Sequence, residues 1–399
     1  MTRTTRILVL DDGRAQLSPL CDLRPSFDIR TGALTTLERI ERTVGPVAGL
    51  IVPAPMEAIT REMHPDRAVN ADVPLSALVV NGRHALPTQV LLGLAPGAGL
   101  VDEEDSLVAA HLGESDVAEL VANPSAVISF DSVRAPDALL TRPWHVRRFR
   151  DRALDADLAS WPGPPSAPPP GTIAFGTHSL VIAPEARIYP GVVLDLESGP
   201  IVIDRGAVIR PACTIIGPAY IGRGSTVLDR AIVKAHSAIG PSCKVAGEVG
   251  GTIFQGFANK AHDGHLGDSW IGEWVNLGAG TTNSNLLNTY GEVIARSTPS
   301  APNERTGEQF LGAIIGDHVK AAICTRIMTG AILHAGSMFA RTAAVSGTIP
   351  GFTWSTDAGD KQFRFDKFLE VAEAAMARRK VTPSAAYIAR LLALHAARG

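Results

Sequence analysis

Eight aliphatic residues recur at intervals of six: Ile203, Ile209, Ile215, Ile221, Val227, Val233, Ile239 and Val245. The pattern returns at Ile271 and Leu277, and again at Ile315, Ala321, Ile327, Leu333, Phe339 and Val345. Such a period suits neither an α-helix, which repeats every ~3.6 residues, nor a single strand, which repeats every ~2. It suits a parallel β-helix whose triangular coils take three hexapeptides each, with one aliphatic side chain pointing inward from every flat. Turn-forming residues beside these positions, as in "YIGRGS", "AIGPSC" and "WIGEWV", fit the corners between flats.

The period fails over 246–270 and over 283–313. In a solenoid such breaks are expected to be loops on one face, and such loops often bind ligands. After residue 360, "KQFRFDKFLEVAEAAMARRK" and "TPSAAYIARLLALHAA" predict two helices, placed to cap the end of the solenoid or to contact neighbours.

Before residue 160 the chain has a different character. "RILVLDD", "AGLIVPA" and "SALVVNG" predict strands, and "ALTTLERIERTVG" predicts a helix that ends on Gly45. This alternation predicts an α/β domain. The stretch "SWPGPPSAPPPG" then places six prolines in twelve residues, which predicts a linker or extended arm. The expected organisation is an α/β domain over 1–158, a linker over 159–171, a β-helix over 172–350 and a helical extension over 351–399.

Composition narrows the function classes. The 399 residues are 45% hydrophobic with a net charge of −3, which predicts a soluble protein with no general pull toward nucleic acid or an anionic membrane. No stretch has the roughly 18 apolar residues of a membrane span. The opening "MTRTTRILVLDDGR" does not read as a secretory signal. Cys21, Cys213, Cys243 and Cys324 form no CxxC pair, so reduced thiols and a cytoplasmic location are expected.

Candidate chemistry concentrates in "NKAHDGHLGDSWIGEWVNLGAGTTNSN". His262 and His265 stand beside Lys260 and Asp263, with Asn259, Asn276, Asn283 and Asn285 close in sequence. Acyl transfer from a thioester to an amine needs a base for the amine proton and donors for the tetrahedral oxygen; histidine and asparagine supply these. Solenoids of this kind commonly assemble as trimers, so such a site would lie in a cleft between chains. A zinc reading would use His236, His262 and His265. The two later histidines are three apart rather than five, so no metal is expected. "DLRPSFDIRTGALT" is open to two readings, an anion or sugar contact or a structural loop whose charges pair internally.

These motifs carry a resemblance. The second half resembles the acetyltransferase domain of the bacterial bifunctional enzymes that combine N-acetylglucosamine-1-phosphate uridylyltransferase with glucosamine-1-phosphate N-acetyltransferase. The whole chain is similar to a variant family of sugar nucleotidyltransferases, through "LRPSFDIRTGALT", "NGR", "GVVLD", "GPIVID", "IGPSCKVAGEV", "FQGFANKAHDGHLGDSWIGEWVNLGAGTTNSNL", "NTYG" and "IIGDHVKA". The resemblance implies a degenerate nucleotidyltransferase-like domain followed by a left-handed β-helix. It places His262 at the general-base position, Asn276 in the "VNLGAGT" motif and Asn285 at the asparagine that contacts the sugar or orients the base. Lys260, His265, Asn259, Lys244 and Arg230 are the implied substrate contacts; Lys234 is the alternative to Arg230 for the sugar phosphate. His265 stands where the family has a tyrosine, and Leu286 replaces another.

The first half departs from the pattern. It lacks the Gly-rich "GxGTRM" loop, and "VVNGR" stands where a metal-binding aspartate would follow the strand. The implied function is transfer of an acetyl or acyl group from acetyl-CoA to an amino-sugar phosphate or nucleotide-linked amino sugar, by a homotrimer. The alternatives are a bifunctional enzyme that also forms a sugar nucleotide, which alone would require Mg²⁺, and a non-catalytic scaffold that binds sugar nucleotides.

Overall fold

The computed structural model describes residues 6–71 and 73–398. These fall into two compact units: residues up to Ile29, Leu34–Pro143 and Ser384–Ala393 in one, and Arg30–Ala33, Trp144–Pro383 and the residues from Leu394 onward in the other.

The first unit is built on a seven-stranded sheet. Its strands are β1 (Ile7–Leu10), β2 (Val47–Ile51), β3 (Ala68–Val69), β4 (Ser76–Asn81), β5 (Ala98–Val101), β6 (Leu107–Gly113) and β7 (Asp131–Arg134), in the order β3-β2-β1-β4-β6-β5-β7. Strand β1 pairs in parallel with β2 on one side and β4 on the other, and all four of its residues are buried. A strand buried on both faces reads as a continuous apolar run, which is what "ILVL" is. Helix α1 (Thr36–Thr43) starts at a capping box in which Thr35 and Glu38 satisfy each other's backbone N–H. Helices α2 (Ala54–Met63) and α3 (Glu114–Ala122) complete the alternation expected from sequence.

The second unit opens with helix α4 (His145–Ala159) and continues as a left-handed β-helix of three parallel sheets. The first sheet includes Ile232–Val233, Glu248–Gly250 and His265–Gly267. The second includes Ile253–Phe254 and Trp270–Ile271, and the third includes Lys244–Val245, Asn259–Lys260, Asn276–Leu277 and Lys320–Ala321. The eight residues of the uninterrupted repeat are all 0% exposed and line the interior of the prism. Full burial of one such side chain contributes roughly 1.5–3 kcal/mol.

The two breaks in the period differ in kind. Residues 246–270 do not leave the coil. Val249, Phe254, Lys260 and Leu266 continue the interior ladder at 1% exposure or less, with shortened corners between them. The expected loop there is absent because the coil tightens instead of branching. Residues between Thr282–Asn283 and Ile314–Ile315 do leave it, and they carry the antiparallel pair Ile294–Ala295 and Glu304–Arg305. Past the last coil, the hairpin Thr353–Thr356 and Gly359–Gln362 leads to α5 (Phe365–Ala377). Phe368 of α5 packs edge-on against Phe352 at 4.8 Å and His318 at 5.7 Å. Most of α6 (Ala385–Ala396) clusters with the first unit.

Candidate functional site

A lysine stands inside the hydrophobic ladder. Position 260 follows Val227 and Val245 in register on the third sheet, and its side chain is 1% exposed. Its ammonium donates to the carbonyl oxygens of His262 at 2.5 Å, Asp263 at 2.6 Å and Ala246 at 3.4 Å. Three N–H donors meet three carbonyls. Burial nevertheless pushes the pKa down to about 8, against an opposing pull from Asp263. The carbonyls it grips belong to the corner between the third and first sheets, where the His262 ring is exposed. Asp263 Oδ1 accepts from the backbone N–H of Gly280 at 3.2 Å, tying the corner to the next coil. Arg230 lies exposed at the same prism edge in an earlier coil, with φ of 61°.

On the first sheet, His265 stacks directly over Glu248, which stacks over Ile232. His265 Nδ1 lies 3.4 Å from Glu248 Oε1, and Lys234 Nζ lies 2.5 Å from the same oxygen. The hydrogen bond from Lys234, followed by desolvation acting the other way, leaves the Glu248 carboxyl below its ordinary range. Gly267 separates His265 from Asn285: a methyl group there would meet His265 Nε2 at 2.6 Å and Asn285 Nδ2 at 2.9 Å. Asn285 Nδ2 donates to Asp268 Oδ2 at 2.7 Å, while Asp268 Oδ1 accepts from Arg150 of α4 at 2.6 Å and lies 3.1 Å from Arg147 Nε. The carboxamide of Asn285 is therefore oriented by a charge pair anchored on α4.

The expected site residues divide between two faces. His265 and Asn285 meet on the first-sheet side. Asn259 and Asn276 meet on the third sheet, where Asn259 Nδ2 donates to Asn276 Oδ1 at 2.7 Å, and exposed Lys244 precedes Asn259 in the same row. His262 and Arg230 occupy the edge between those faces. His236 belongs to another corner and lies 3.4 Å from Asp151. No group of three or more metal-ligating side chains occurs among the described residues. Sequence reading missed Glu248, Asp268, Arg147 and Arg150, because their roles arise from stacking of coils and packing of α4, with sequence separations such as 118 residues for Arg150 and Asp268. The four cysteines are unbonded, and burial raises the Cys243 thiol to about 12.

In the first unit, the carboxyl ends of β1 and β4 meet where chain connections diverge to either side, the usual ligand crevice of such sheets. Here the crevice is filled by protein. Arg83 donates from Nε to Asp12 Oδ1 at 3.0 Å and from Nη2 to Asp12 Oδ2 at 2.6 Å, and both side chains are buried. Asn81 Nδ2 adds a bond to Asp12 Oδ2 at 2.9 Å. Arg83 holds the Asp12 carboxyl below its ordinary value, against the opposing effect of burial. Asp11 is raised by burial and accepts from the backbone N–H groups of Ser26 and Gly13. This donor set does not fit Mg²⁺: one carboxylate is neutralised by a guanidinium and the other is engaged by backbone amides. Gly82 lies against Phe27, since a methyl group there would sit 2.7 Å from Phe27 Cβ. In the charged stretch 22–35, Arg24 donates to the Leu20 carbonyl at 2.9 Å and Asp28 Oδ2 lies 2.8 Å from His64 Nε2.

No helix of the described residues is long and apolar enough to cross a membrane. Residues 6–161 match the family model of sugar nucleotidyl transferases. The chain is 25% identical over 156 residues to the bifunctional protein GlmU of Rippkaea orientalis, covering 33% of this chain and 34% of that protein. It is 27% identical over 180 residues to GlmU of Trichormus variabilis, covering 44% and 37% respectively. The chain thus spans little more than a third of the length of these curated relatives. An Arabidopsis UDP-N-acetylglucosamine acyltransferase structure aligns at 12% identity over 57% of this chain and 89% of that one, with a TM-score of 0.21. The chain is thus similar to GlmU over part of its length, matches the sugar nucleotidyl transferase model over residues 6–161, and carries a β-helix of six-residue repeats in its second unit.

Proposed function

We propose that this chain is a transferase that moves an acetyl or acyl group from a CoA thioester to the amine of an amino-sugar phosphate or nucleotide-linked amino sugar. One observation carries the reading. A β-helix interior built of aliphatic side chains gives one position to Lys260, and its ammonium is used to fix the backbone of His262 and Asp263. Desolvating an ammonium is costly, and a lysine in this ladder brings no packing that leucine would not. A need for a fixed imidazole at the prism edge accounts for it.

In this reading the amine nitrogen attacks the thioester carbonyl and its proton passes to His262. The tetrahedral intermediate then collapses to the amide, expelling the thiolate, which takes up the proton. Asn285, held by Asp268, and His265 with Lys234 and Glu248 bind the acceptor's polar groups on the adjoining face. A second chain in a homotrimer completes the cleft. The first unit keeps the nucleotidyl transferase fold without its metal chemistry, the Asp12–Arg83 pair being the supporting observation.

The pairing of His265 Nδ1 with Glu248 favours a second reading, in which His265 is the base and its tautomer is set by the carboxylate. A thiol-release assay with acetyl-CoA against hexosamine phosphates and nucleotide-linked amino sugars tests the activity. Absence of release with every acceptor would overturn it in favour of a binding scaffold.

A further inference from the structure

Within the second unit, the third sheet and α5 enclose a pocket of about 350 Å³. That is inside the roughly 300–1,000 Å³ typical of small-molecule sites. The coil side presents a row in strand register, Lys244 over Asn259 over Asn276 over Lys320. The helix side presents Val371, Ala374 and Ala375, with Arg378 and Arg379 just beyond the last turn. Phe257 and Trp274, stacked at 4.5 Å and 19°, form an aromatic wall.

The charge around this space is one-sided. Lys244, Lys320, Arg378 and Arg379 line it, and no carboxylate does. None of the four makes an ion pair among the described residues. Lys320 is partly buried, and its ammonium donates to the Trp274 carbonyl, a neutral partner. Desolvation with no opposing acid pushes its pKa down to about 8. A largely desolvated cation without a counter-charge, in a cavity with three more cations, is suited in charge to an anionic ligand.

We propose that this pocket binds the nucleoside diphosphate part of a small-molecule substrate. Lys320, Lys244, Arg378 and Arg379 contact the phosphates, and the Phe257–Trp274 wall and the small apolar residues of α5 receive the nucleoside. A bare phosphate would leave the apolar half of the pocket unused. Coenzyme A and sugar nucleotides both carry the required group. The site rests on the acyl-transfer reading for its class of ligand, since Lys244, Asn259 and Asn276 belong to both; undiminished binding in the variants below overturns the pocket alone, whereas absence of thiol release overturns that reading.

The experiment is isothermal titration of the full chain with coenzyme A, with UDP-N-acetylglucosamine and with inorganic phosphate, each in separate titrations. Coenzyme A or the sugar nucleotide should bind, and the one that binds identifies the source. The affinity should fall roughly tenfold or more in the Arg378→Ala/Arg379→Ala variant, as expected for the loss of charge-assisted contacts. Binding near pH 8 should take up a proton, seen as a heat that depends on the buffer, because an anion favours the charged form of Lys320. Should the double variant melt early, Lys244→Met, at an exposed position, carries the same test. Binding of neither ligand, undiminished binding in the variants, or inorganic phosphate binding as tightly as both would overturn the proposal.

Discussion

The ammonium of Lys260 lies 2.5 Å from the carbonyl oxygen of His262, and it reaches that oxygen from inside the aliphatic ladder of the β-helix. The lysine titrates low in the folded chain, near 8 against an ordinary 10.5, and so does Lys320. Between about pH 8 and 10.5 the unfolded chain therefore binds more protons than the folded one, and folding stability rises with pH across that window. The penalty is fully present below pH 8. Urea unfolding at pH 7.5, 9 and 10 should show the rise, and Lys260→Met should remove about half of it, as one of two such groups. A stability that falls steadily over this range would contradict the assignment.

The exposed His262 ring and the Glu248-paired His265 ring make separable predictions. His262→Ala should lower kcat by roughly 10²–10⁴-fold while leaving the solenoid folded, as expected for loss of a positioned base. His265→Ala should mainly raise KM for the acceptor. Asn285→Ala and Asn276→Ala should each cost about tenfold, since they orient and do not transfer protons. Steady-state kinetics with the acceptor found in the thiol-release panel would check this. Full activity in His262→Ala with none in His265→Ala moves the base to the Glu248–His265 pair.

The buried Asp12–Arg83 pair predicts two results in the first unit. The full chain should release no pyrophosphate from a nucleoside triphosphate and a sugar 1-phosphate with Mg²⁺ present, because the crevice offers a guanidinium where a metal carboxylate is needed. Arg83→Met should destabilise the protein by about 3–5 kcal/mol, the range for stranding one member of a buried pair. Coupled pyrophosphate detection and denaturant melts measure the two effects. Robust pyrophosphate release would show that the crevice opens to a metal.

The faces carrying His265 and Asn285 and the edge carrying His262 are partly exposed within one chain, which predicts a homotrimer that completes the cleft. Light scattering at micromolar concentration should give three times the 42.0 kDa chain mass. A monomer with full activity would exclude a shared site.

The α/β pattern and the six-residue ladder were legible in the sequence because they depend on local periodicity. Ile203 through Val245 must all point inward if coils of equal length stack, and the structure buries every one of them. The polar run 259–285 stood out by its composition, beginning inside the first break of that period and running past its return at Ile271 and Leu277. Stacking was not legible where the coils change length. Shortened corners keep residues 246–270 in the solenoid and set Lys260 in the ladder as a charged member. They also place His265 over Glu248, a pairing that fixed spacing would not produce. Asp268 meets Arg150 across 118 residues, and Arg378 approaches the Lys244–Lys320 row only because α5 folds back on the third sheet. The sequence by itself determined which residues face the core, since hydrophobic burial acts on each position through its local period. The tertiary structure decided which charges meet, since Coulomb and hydrogen-bond energies depend on distances that only the packed coils and helices establish.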